Sequence, residues 1–152
     1  MNTIETDAYA IAEEEAARAL AAALGFALGR DLFIGHAEST PICATFQFDE
    51  CPRDLGAQFA VTRQLRAIAI NASLRITAAK RSHLTRAIAS LLFNYPFEHV
   101  KGEVLDTLRI REDGLGAITT TIITDNANGY GAGQTRLAYT TEIGFLASFH
   151  IR

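Results

Sequence analysis

At 152 residues, 49% hydrophobic and 20% charged, the chain has the size and balance of one domain that buries its own core. A net charge of −3, with basic residues spread in ones and twos, offers no broad field for nucleic acid. Two cysteines, Cys43 and Cys51, without zinc spacing or a C-x-x-C pair, read as ordinary reduced thiols rather than a metal knuckle.

In chain order, the first periodic segment runs from Asp7 to Leu24, with Asp7 as its cap and Glu13, Glu14 and Glu15 nearer its positive end. Tyr9, Ala12, Ala16, Leu20, Ala23 and Ala27 recur at spacings of three and four and predict an amphipathic helix with a stripe of small side chains. Gly25 and Gly29 are its expected stops. The apolar run 16–28 is broken by Arg18 and Gly25 and follows acidic residues, so neither a membrane span nor a secretory signal is expected, and the origin reads as cytoplasmic.

Strand character follows over Asp31–Phe48, with Ile42, Ala44, Phe46 and Phe48 on one face and Cys43, Thr45 and Gln47 on the other. Residues 49–56 carry loop chemistry. From Arg66 to Ile76 the period is two, which predicts a strand; from Ala78 to Phe93 the positions Leu84, Ile88, Leu91 and Leu92 predict a second helix, ended by Asn94–Pro96. Val104–Arg111 and Ala117–Thr124 read as strands joined by a turn over Glu112–Gly116 that contains Asp113-Gly114.

The final segment gives the strongest pattern. Leu137, Tyr139, Ile143, Phe145, Ala147, Phe149 and Ile151 share one parity, opposite Arg136, Thr140, Glu142, Ser148, His150 and Arg152, predicting a long strand with one dry and one wet face. At roughly 3.3 Å per residue it would measure about 50 Å. Two helices cannot cross over a whole parallel sheet. The expected fold is therefore a single α+β domain: an antiparallel, mixed sheet of five or six strands, two helices on one face and a long C-terminal strand.

No chemical motif emerges from this pattern. His36, His83, His99 and His150 are scattered, and neither a phosphate-binding P-loop nor a dinucleotide glycine fingerprint occurs. Asp125, Asn126 and Asn128 before Gly129 faintly resemble a calcium loop, but the distal Glu is missing. The expectation is no catalytic residue, no cofactor and no metal.

The loop Asp125–Gln134 is instead the candidate contact surface. It is glycine- and asparagine-rich and presents one aromatic, Tyr130; Asp125, Asn126, Asn128, Gly129, Tyr130, Gly131, Gly133 and the nearby Arg136 are the candidate interface residues. The extended C-terminal strand supplies an edge for pairing with other chains.

The order of an opening helix, a strand pair before the helix Ala78–Phe93, and a closing strand Leu137–Ile151 resembles the tail terminator and tail-completion proteins of long-tailed bacteriophages. That resemblance is one of architecture across nearly the whole chain. It implies a non-enzymatic virion subunit of the tail or neck, assembled in the host cytoplasm. Such subunits form a homo-oligomeric ring, usually a hexamer, between tail-tube and head-completion proteins; DNA passes through the lumen without sequence-specific binding, and no membrane is involved. A tail-tube or other neck subunit would fit the same implication. From another class, a small ligand-binding or thioesterase-like α+β enzyme would line a pocket with Phe46, Phe48, Phe145 and Phe149, with Asp106 or His150 as the polar group.

Overall fold

The computed structural model describes residues 3–35, 43–50, 67–95, 100–125 and 134–150. They form α1 (Thr3–Leu24), β1 (Leu32–Ile34), β2 (Ala44–Phe48), β3 (Ala67–Ala78), α2 (Arg81–Asn94), β4 (Leu105–Leu115), β5 (Thr119–Asp125) and β6 (Gln134–His150). The fold is α+β, as expected. One six-stranded sheet runs β1-β2-β3-β6-β4, with β5 also on β6. β1 and β2 pair parallel and every other pair is antiparallel.

β6 organises the sheet. On one side it pairs with the whole of β3, from Ala67↔His150 to Ala78↔Tyr139; its other side is shared, β4 taking the C-terminal half and β5 the N-terminal half. The period of two brings Phe46 and Phe48, Ile70, Leu74 and Ile76, and Ile143, Phe145 and Phe149 onto one face, where all are buried. Both helices cover that face. α1 buries Ala8, Ala12, Ala16, Ala17 and Leu20, and these short side chains let its backbone come close, while α2 buries Leu84 and Leu91.

Polar bonds then fix where the helices lie. The Glu13 carboxylate accepts the Phe48 amide at 2.8 Å, and Glu15 accepts the amides of Glu103, Val104 (2.9 Å) and Leu105, tying α1 to the end of β2 and the start of β4. The sequence pattern sets these glutamates only near the positive end of the helix, because amphipathicity does not show which carboxylates meet backbone N–H groups. At the other end, Ser90 Oγ and Asn94 Nδ2 donate to the Ala23 carbonyl, so α2 satisfies a terminal acceptor of α1. Gly25 stops α1 with φ +74°, and the amides of Gly25 and Phe26 return to Ala22 and Ala21 in a Schellman pattern.

Three expectations are corrected. α1 begins at Thr3, so Asp7 lies within the helix and does not cap it. Glu112–Gly116 is not a hairpin turn: β4 continues to Leu115, and β4 and β5 pair with β6 rather than with each other. The Asp113-Gly114 pair serves a bulge instead, in which residues 111–114 stand opposite Gly144 alone. The Arg111 guanidinium crosses over Gly144, and a Cβ there would lie 2.7 Å from Arg111 Nη2, so that side chain would have to shift. Finally, the dry parity of β6 does not hold for the whole strand: Leu137 is 58% exposed and Tyr139 half-buried, and full burial begins at Thr141. Ile151 and Arg152 lie outside the described residues.

Candidate assembly surface

The exposed end of β6 follows from strand lengths. β6 has 17 residues and β3 has 12, and the last β3 partner, Ala78, faces Tyr139. Residues 134–138 therefore run past β3 and, among the described residues, are accompanied only by β5, as a two-stranded ribbon. Within it Ile122 stands opposite Leu137, and the two are 67% and 58% exposed.

This pair belongs to the core face. Odd positions of β6 carry Ile143, Phe145 and Phe149 inward, and Leu137 continues that parity beyond the reach of the helices. Leu115, opposite Ile143 and 56% exposed, and the half-buried Ile118 and Tyr139 join the ribbon to the core. The result is an apolar face that prolongs the hydrophobic core without a cover. Full burial of an Ile or Leu is worth roughly 1.5–3 kcal/mol, and the single chain forgoes more than half of that at each of these exposed positions.

The two strands on this side of the sheet treat their outer edges differently. β4 carries Asp106, Arg109, Arg111, Glu112 and Asp113 and is interrupted by two bulges, at Asp106 and at residues 111–114. Charges and bulges of this kind block edge-to-edge pairing. β5 reads Thr-Thr-Thr-Ile-Ile-Thr-Asp in unbroken register with β6, with no charge before its last residue. Among the described residues its edge is unguarded.

The interface residues expected from sequence divide accordingly. Asp125 closes β5 opposite Gln134, and Arg136 sits on β6 opposite Ile123, exposed. Asn126, Asn128, Gly129, Tyr130, Gly131 and Gly133 lie outside the described residues. Ile122 and Leu137 were missed because their pattern is that of a core strand; the available signal was the surplus length of the terminal strand over the segments able to cover it.

Other chemistry is dispersed. Asp106, at its bulge, holds His150 Nδ1 at 2.7 Å, so the two polar groups considered singly in the sequence form one pair near the C-terminal end of β6. The four phenylalanines pack on one another: Phe46 lies against Phe48 and Phe145, with centroids 5.9 and 6.4 Å apart, and Phe48 stacks on Phe149 at 6.0 Å. A cleft of about 380 Å³ lies elsewhere, among Leu24, Phe26, Cys43, Ile76, His83 and Arg86. Burial pushes the Cys43 thiol up from its ordinary pKa, which keeps it protonated. Among the described residues no group of three or more His, Cys, Asp or Glu could hold a metal ion, and no helix is long and apolar enough to cross a membrane. His36, Cys51 and His99 lie outside the described residues. The chain matches no known family model, and no curated protein is significantly similar to it.

Proposed function

We propose that this chain is a structural subunit that assembles with copies of itself into a ring, as its likeness in architecture to phage tail terminator proteins implies. Its place would be the head-proximal end of a tail tube, between tail-tube and head-completion proteins. One observation carries the proposal: the ribbon of β5 and β6 prolongs the core face past the helices and leaves Ile122 and Leu137 in water. In a ring, the neighbouring subunit covers that face, recovering the burial that the lone subunit lacks. The ribbon described here and the loop between its strands act together, the loop reaching the neighbour and the apolar face seating it.

The test is to image the purified chain by negative stain and weigh it by native mass spectrometry, alongside a form lacking residues 126–133. Rings from the intact chain and a folded monomer from the shortened one are expected. A monomeric intact chain contradicts the proposal.

A further inference from the structure

We infer that β5 is a self-pairing edge, whose outer side hydrogen-bonds antiparallel to β5 of a second copy about a two-fold axis at Ile122. The inference rests on the assembly reading only in requiring that the chain meet other copies of itself. It concerns the backbone edge of the ribbon, whereas the ring contact covers its apolar face; Ile122 lies where the two surfaces meet, and both are occupied together.

The partner is identified by elimination among the sheet's own edges. β1 is three residues long and β4 is guarded by charges and bulges, which leaves β5 as the one unguarded strand edge of useful length among the described residues. Charge then selects the direction. A parallel, in-register pair would stack Asp125 on Asp125, like charges side by side. In the antiparallel two-fold pair centred on the strand, Thr119 faces Asp125, Thr120 faces Thr124, Thr121 faces Ile123, and Ile122 faces the partner's Ile122. No like charges meet. Because Ile122 is 67% exposed in the subunit and sits beside Leu137, the axis brings both copies' apolar pairs into one cluster. Main-chain bonds supply affinity and this cluster supplies register, as in other strand-addition contacts.

Self-opposition at Ile122 gives a specific experiment. Ile122→Lys and Ile122→Glu each place two like charges across the axis, and each should weaken the paired state by at least about tenfold without unfolding an exposed position. Mixing the two variants should restore pairing as a Lys/Glu heterodimer, read by native mass spectrometry from their mass difference. Hydrogen exchange supplies a second readout: alternate β5 amides face away from β6, so they should be protected in the intact chain and exchange quickly in either variant alone. Failure of the mixture to form heterodimers, or fast exchange of those amides in the intact chain, overturns the inference. Rings with fast-exchanging outer amides would remove the edge pairing alone, whereas a chain that is monomeric at every concentration removes the ring reading as well.

Discussion

Glu13 holds the Phe48 amide from a partly desolvated position, and burial raises its pKa more than that hydrogen bond lowers it. A carboxyl whose folded pKa is raised favours the folded state most below its unfolded value, and that contribution is lost as pH rises through the folded value. Glu13→Gln keeps an acceptor for Phe48 and removes the buried charge. Thermal melts should therefore show the variant more stable than the parent at pH 8, with the gap closing as pH falls into the acid range where Glu13 protonates. Glu15 is held differently, by three consecutive amides, and a Cβ on Gly102 would overlap its carboxylate. Gly102→Ala should displace that acceptor from amides that are exposed or half-buried and cost about 1 kcal/mol or less in a urea melt. The Tyr95 hydroxyl donates to the Leu108 carbonyl, and burial pushes its pKa above the usual tyrosine value. Tyr95→Phe orphans that carbonyl and should cost about 1–2 kcal/mol by the same measurement.

At the scale of elements, α1, α2 and the central strands were legible because each buries one face, and burial imposes its period on the sequence. Ala12, Ala16 and Leu20, the alternation of Ile68–Ile76, and Leu84 with Leu91 all stand where that period puts them. What escaped was decided by contacts distant in sequence. Asp113-Gly114 has hairpin chemistry, but the long β6 offers both β4 and β5 a partner, so the pair was spent on a bulge across Gly144. Leu137 has core parity, but strand register carries it past the helices. The ribbon of β5 and β6 was not legible as composition and required strand lengths. Truncating Phe145, which packs against Phe46 and Tyr95 in the centre of the sheet, to Ala should cost about 3–5 kcal/mol in a denaturant melt. Changing Leu137 should leave the fold intact, since more than half of that residue already lies in water.

For the whole molecule, a guarded edge at β4, an unguarded edge at β5 and an apolar face beyond the helices lie on one side of β6 among the described residues, which is where the proposed association is placed. The reading as a ring subunit thus depends on the apolar ribbon being an interface rather than a solvated extension. Native mass spectrometry of the intact chain beside Leu137→Lys tests this most directly. The account predicts a multi-copy ring for the first and, for the second, a folded chain with an unchanged melting temperature that forms no ring. A Leu137→Lys chain that still forms the ring, or an intact chain that never does, would contradict it.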